Sequence, residues 1–261
     1  MRVLPIANEA GSAGKTTTTV TLAALLAQEG RSVVVVDLDA QANATSALGV
    51  DDAQVAATSG DVLLRRCTWD QALIDTAVPG VTLIPANRGL SADVRDLDKV
   101  TAREHRLKLA LRHVGADVVL VDCPGAVSVL TMAALVAARN DDGPVAWALT
   151  VTTPTAKELE GIPRFEDTLA ELVETGISPD LQLGAIVPCM VPGQGAGTLY
   201  RQAMDQLRAA YGDLVTPAVR RSVRAAEAFS HRLPLPVFAP SAGVTQDYRD
   251  VLAYLVSRGV L

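Results

Sequence analysis

Two stretches of four consecutive apolar residues, VVVV at 33–36 and VVLV at 118–121, each run without a polar break into an aspartate. A strand with one face in water alternates apolar and polar residues. Unbroken β-branched runs instead belong to strands covered on both faces, the condition of a parallel sheet with helices on either side. Apolar runs at 3–7, 81–85, 145–151 and 183–187 predict further strands. Between them the period lengthens: Leu107, Ala110, Leu111 and Val114 fall at helical spacing within 102–114, and Tyr200, Ala203, Met204, Leu207 and Tyr211 do so within 198–211. This alternation predicts an α/β fold, a doubly wound, mostly parallel sheet with helices on both faces. With no repeat or long linker, residues 1–261 are expected to form a single domain. The stretch VPGQGAG at 191–197 reads as a loop inside it.

The first strand runs into GSAGKTT at 11–17, followed by a helix through TLAALLAQEG that Gly30 can end. Gly11, Ser12, Ala13 and Gly14 are small enough for consecutive backbone N–H groups to converge on phosphate oxygens, and the helix N-terminus adds positive potential. Lys15 is placed to neutralise the β and γ phosphates, Thr16 to ligate Mg²⁺, and Thr17 completes the turn. A small-residue turn before a helix is the plain alternative. The order of strand, loop, G-K-T-T and amphipathic helix argues for a nucleotide site.

Two acidic elements join it. In VVVVDLDAQANAT the side chains of Asp37 and Asp39 are expected to point the same way at the carboxyl end of a strand, where open α/β sheets bind ligands. In ADVVLVDCPGAV, Asp122 closes a buried strand before a Pro-Gly turn, the position of a carboxylate that supports Mg²⁺. Asp37 or Asp39 alone is also compatible with a solvated turn acid, and Asp122 by itself is a weak signal that gains strength as the third member of the ordered set.

Composition limits the partners. A net charge of −6 excludes a protein that coats nucleic acid over its whole surface and leaves room for a local basic patch. That patch is AVRRSVRAAEAFSHR, which gathers Arg220, Arg221 and Arg224, with Arg232 beyond. Cys67, Cys123 and Cys189 have neither disulfide nor zinc spacing. Without a signal sequence or a bilayer-length apolar stretch, the chain is expected to be soluble and cytoplasmic. His105, His113 and His231 have polar neighbours and read as surface or helix-end residues.

The residues 8–49, NEAGSAGKTTTTVTLAALLAQEGRSVVVVDLDAQANATSALG, resemble the opening of ParA-type partition ATPases of the deviant-Walker P-loop class, which includes the MinD-like proteins. VVLVDCPGAVSVLTMAAL resembles their Walker B strand and switch helix, TTPTAKELEGI their next strand-to-helix turn, and SVRAAEAFSHRLPL their late "VRLSEA" segment. The likeness covers nearly the whole chain and is to the small subclass without an N-terminal helix-turn-helix. It implies binding of ATP and Mg²⁺, a homodimer formed around nucleotide, slow hydrolysis stimulated by a ParB-type centromere-binding protein, and ATP-dependent non-specific DNA binding on the nucleoid. By the same resemblance Lys15 and Asp39 are the catalytic residues, Asp39 positioning the attacking water. Asp37 and Asp122 support the metal with Thr16, and Arg224 contacts DNA with Arg220 and Arg221 beside it.

The family loop reads K-G-G-x-G-K-[ST], whereas Ala10 stands here at its first lysine and Ser12 at its second glycine. That lysine reaches the partner's nucleotide, so hydrolysis is expected to be weak or absent while binding survives. The alternatives are an ATP-gated switch that binds DNA or a partner without hydrolysis, and a MinD-like membrane ATPase. The latter is disfavoured because Val244, Tyr248, Val251, Leu252 and Leu255 in the last helix read as a core stripe rather than a membrane face.

Overall fold

The computed structural model describes residues 1–8, 14–193 and 197–261. Among them are eight strands: β1 (Arg2–Ala7), β2 (Val33–Asp37), β3 (Ile74–Asp75), β4 (Val81–Ile84), β5 (Val118–Asp122), β6 (Arg139–Asn140), β7 (Ala146–Thr152) and β8 (Leu181–Pro188). They form one sheet in the order β3-β4-β2-β5-β1-β7-β8. The six long strands pair in parallel, as their unbroken apolar runs require. The two-residue strands are antiparallel additions, β3 beside β4 and β6 beside the start of β1. Too short to show a period, they were not foreseen from the sequence.

Each face of the sheet carries its own core. Helix α1 (Lys15–Gln28) and the last helix, Gly243–Ser257, pack on one face through Leu22, Leu26, Val251 and Leu255. The helices Val129–Ala137 and Gly161–Glu174 pack on the other through Leu135, Phe165 and Leu172. The expected stripe of the last helix, Val244, Tyr248, Val251, Leu252 and Leu255, is wholly buried in the first core. No helix among the described residues is long and apolar enough to cross a membrane.

The neighbouring strands β1 and β5 therefore send their following helices to opposite faces. This opens a crevice at their carboxyl ends, the place where such sheets bind ligands. Register levels the chemistry there: Asp122 is opposite Ile6 of β1 and opposite Asp37 of β2. Helix α1 ends as its glycine foretold. Gly30 has φ 84°, its N–H reaches the Ala27 carbonyl, and the Arg31 N–H reaches that of Leu26, a Schellman closure.

Two helical expectations fared differently. Helix Thr198–Tyr211 has the predicted bounds and buries Ala203, Met204 and Leu207, with Tyr200 turned outward and the Tyr211 hydroxyl donating to Glu166. The single helix expected over 102–114 is instead a 3₁₀ turn (Arg103–His105), one α-helical stretch (Arg106–Ala110) and a second 3₁₀ turn (Leu111–His113). Leu107 and Leu111 still face the core. An apolar i, i+4 pair can be buried by such mixed turns as well as by a regular helix.

Candidate nucleotide-binding site

Gly14 begins α1 in the left-handed region at φ 98°, and a Cβ there would stand 3.3 Å from the Cβ of Cys189. Both conformation and space select glycine. Gly11, Ser12 and Ala13, expected to bind phosphates, and Ala10 before them lie outside the described residues.

From the first turn of α1 the side chains divide between two tasks. Thr16 donates from Oγ1 to Asp122 Oδ2 at 2.7 Å. One turn further, Thr19 donates to Asp122 Oδ1 at 3.1 Å and to the Lys15 carbonyl at 3.0 Å. Asp122 is fully buried, and its two hydroxyl donors and Lys15 only partly offset burial and the neighbouring Asp37 charge. Its carboxyl is therefore pushed up to about 7. Lys15 is buried too, which lowers its pKa against the pull of Asp122, Cys123, Asp39 and Glu158. Its Nζ donates to Asn8 Oδ1, and Asn8 is fixed by its own bond to the Val151 carbonyl on β7 at 2.9 Å.

The strand ends at Asp37, whose Oδ1 accepts the Asp39 N–H at 3.0 Å, and Asp39 lies beyond the last strand residue. The other Asp37 oxygen accepts from Thr45, through N–H at 2.9 Å and Oγ1 at 2.8 Å. Burial nevertheless outweighs these bonds and raises the Asp37 pKa. Asp39 stands half-exposed beyond the strand end, accepting the Gln41 N–H at 2.9 Å, near enough to Lys15 to favour its charge. Lys15, Thr16, Asp37, Asp39 and Asp122 are thus brought together.

Several members of the site gave no sequence signal. Asn8, Thr19 and Thr45 hold the functional groups, and Glu158 faces Lys15 from beyond β7 with a buried Oε2 that has no hydrogen-bond partner among the described residues. Thr17 and Gly14 open onto a cavity of about 450 Å³ walled by Met190, Val219, Ala225, Phe229 and Tyr248. That volume and its apolar lining suit a planar ring. Beneath it the Thr18 hydroxyl lies 3.1 Å from that of Tyr248, tying α1 to the last helix.

The arginines are unequally committed. Arg220 is held by Asp247 through Nε at 2.6 Å and Nη2 at 2.7 Å, and Arg224 by Glu227 at 2.8 Å. Arg232 pairs with Asp51. Arg221 is exposed and has no carboxylate partner among the described residues. The three free cysteines are as expected, with Cys123 and Cys189 buried.

Hydroxyl and carboxylate oxygens are the donors Mg²⁺ takes, and Thr16 with Asp122 supplies both at hydrogen-bond distance. No cluster of three His, Cys, Asp or Glu able to hold a metal exists among the described residues. An ion here fits only as one shared with phosphate oxygens and water, the usual condition of Mg²⁺.

A family model described as an AAA domain matches residues 1–183. The chromosome partitioning protein ParA of Caulobacter vibrioides is 33% identical over 263 residues, covering 99% of this chain and 95% of its own. The chromosome-partitioning ATPase Soj of Thermus thermophilus is 37% identical over 264 residues, covering 99% and 96%. Among solved structures, cobyrinic acid a,c-diamide synthase from Mycobacterium smegmatis, with bound ATP analog and magnesium, superimposes at a TM-score of 0.82 and 28% identity, covering 100% of this chain and 96% of that one.

Proposed function

This chain belongs to the ParA/Soj/MinD superfamily of P-loop partition and positioning ATPases, and from that premise we propose that it is an ATP-dependent DNA segregation protein. It binds Mg-ATP, dimerises around the nucleotide, holds DNA without sequence preference on the nucleoid, and answers to a ParB-type partner. The observation that carries the reading is the joint at the head of α1. There Thr16 is bound to Asp122, Lys15 is buried among carboxylates, and the cavity opens from Gly14 and Thr17.

The parts divide the work as follows. Backbone N–H groups at the start of α1 and Lys15 take the phosphates, and Thr16 and Asp122 would hold Mg²⁺. When bound, the ion neutralises charge on the phosphate oxygens. The base enters the cavity beside Met190 and Tyr248. Asp39, at the open rim and free of the strand, orients the water that attacks the γ-phosphate, and Asp37 anchors the 39–45 turn that carries it. Asp122, Asp39 and Glu158 surround the Lys15 ammonium until phosphate replaces them.

Ala10 sets the rate. Loss of a charge that stabilises phosphoryl transfer costs roughly 10³- to 10⁵-fold where that charge is central. Calorimetry is expected to show Mg-ATP binding, while phosphate release stays near background and rises in an Ala10→Lys variant. Absence of ATP affinity sinks the nucleotide assignment. Brisk turnover by the unaltered chain sinks the role given to Ala10.

DNA contact is assigned to Arg221 and Arg224, with Arg220 as the residue whose pairing to Asp247 fixes the segment. Non-specific affinity of this kind lies at roughly 10⁻⁴ to 10⁻⁶ M and falls steeply with salt. An Arg221→Ala, Arg224→Ala double variant is expected to lose ATP-dependent gel retardation of a random duplex and to flatten the salt dependence by about two counterions. Retardation unchanged from wild type would move the interface elsewhere.

A synthase reading, suggested by the M. smegmatis likeness, draws on no added feature of this chain. Its described residues bring no further cluster of acids, bases or thiols to the cavity beyond those named.

A further inference from the structure

A second cavity lies on the face of the sheet opposite α1, between the 62–71 segment and the 106–113 segment, and encloses about 560 Å³. Its floor is apolar: Val62, Cys67, Trp69, Leu109 and Ala110. Leu109 is 39% exposed. Its rim is cationic, formed by Arg65, Arg66 and Arg106, with Asp70 the one acid among the lining residues. Arg66 is spent on Asp61, Asp93 and Asp96. Arg65 and Arg106 have no carboxylate partner among the described residues. Arg65 moreover occupies the left-handed region at φ 59°, where glycine or asparagine would sit with less strain.

The chain around it carries a net charge of −6. We propose that this cleft is a docking site for an acidic peptide segment of a partner protein. Apolar side chains of the peptide would seat against Trp69 and Leu109, and its carboxylates would meet Arg65 and Arg106. Charge complementarity selects an anion, and the apolar floor selects one that also carries hydrocarbon. The cluster Asp61, Asp70, Asp93 and Asp96 beside the cleft opposes the evenly spaced charges of a phosphodiester chain, whereas a peptide can place its acids around it. The surface is separate from the nucleotide crevice and from the arginines of 220–224, so this proposal goes beyond the function above and stands without it.

The test is fluorescence anisotropy of a fluorescein-labelled dodecapeptide of Glu and Leu, with leucines at helical spacing, titrated with the full chain. A Lys and Leu peptide of the same pattern and an oligonucleotide of the same net charge serve as competitors. Saturable binding of the acidic peptide is expected, with loss of at least about tenfold in affinity in the Arg65→Glu, Arg106→Glu variant. No loss is expected in Arg164→Glu, an exposed residue that does not line the cleft. In a Trp147→Phe background, Trp69 emission should shift on binding and fail to shift in the double variant. Unchanged melting temperature of the double variant separates lost contacts from lost folding. Equal binding of the basic peptide, retention by the folded double variant, or displacement by the oligonucleotide overturns the proposal.

Discussion

Lys15→Ala is expected to weaken Mg-ATP binding by at least about 100-fold, with the fold intact. A charge-assisted hydrogen bond to phosphate contributes about 1.5–3 kcal/mol, and the lysine is placed to make two, so the loss amounts to two or more decades. The site magnifies the effect because Lys15 is buried and must hold its charge among Asp122, Asp39 and Glu158. Removing the ammonium leaves three carboxylates facing an incoming polyanion. Titration calorimetry of the variant, beside a melting curve to establish folding, checks this. Affinity within tenfold of wild type would mean that the phosphates lie elsewhere.

Asp122→Asn is expected to erase the Mg²⁺-dependent part of ATP affinity and, unusually for a site variant, to stabilise the nucleotide-free protein at neutral pH. The sign follows from burial. The native carboxyl holds its proton up to about 7 whereas an unfolded one releases it near the ordinary value of 3.8. Between those values the native state binds more protons, so stability falls as pH rises through that window. The asparagine removes this slope and relieves Asp37, whose pKa is raised as well. A gain of about 1 kcal/mol corresponds to roughly 2–4 °C in a chain of this size. Melting curves from pH 4 to 8 without nucleotide should converge at the acid end and separate at the neutral end. Destabilisation of the variant at pH 7.5 would show that the buried charge is better compensated than its surroundings suggest.

The parts of the site that could be read beforehand are those fixed by local chemistry. Strands 33–37 and 118–122 were legible because an unbroken β-branched run has few alternatives, and each ends on the aspartate that the site uses. Gly30 was legible because the positive φ that ends a helix leaves a residue-level trace. What stayed hidden are partnerships between residues far apart in the chain, such as Thr19 with Asp122, Asn8 with Val151, and Arg220 with Asp247. Nothing near any of these residues in sequence announces its partner. Asp39, read by alternation along the strand, lies past its end at Asp37 and is held there by its N–H bond to the Asp37 carboxylate. The cleft at Arg65 and Arg106 is likewise made by two segments some forty residues apart, whose basic residues look like ordinary surface charge until the fold brings them to one rim.

The stretch from Val219 to Ser230 both walls the cavity beside Gly14 and carries Arg221 and Arg224. In the function proposed above, one short piece of chain would touch both the ring of the nucleotide and the backbone of DNA. No relay through the sheet is then required for either ligand to influence the other. Thermodynamic linkage makes the influence mutual: whatever factor ATP adds to the hold on DNA, DNA returns to the hold on ATP. Under that proposal, a chain bound to DNA would hold ATP more tightly than one free of it, by the factor with which ATP tightens the hold on DNA.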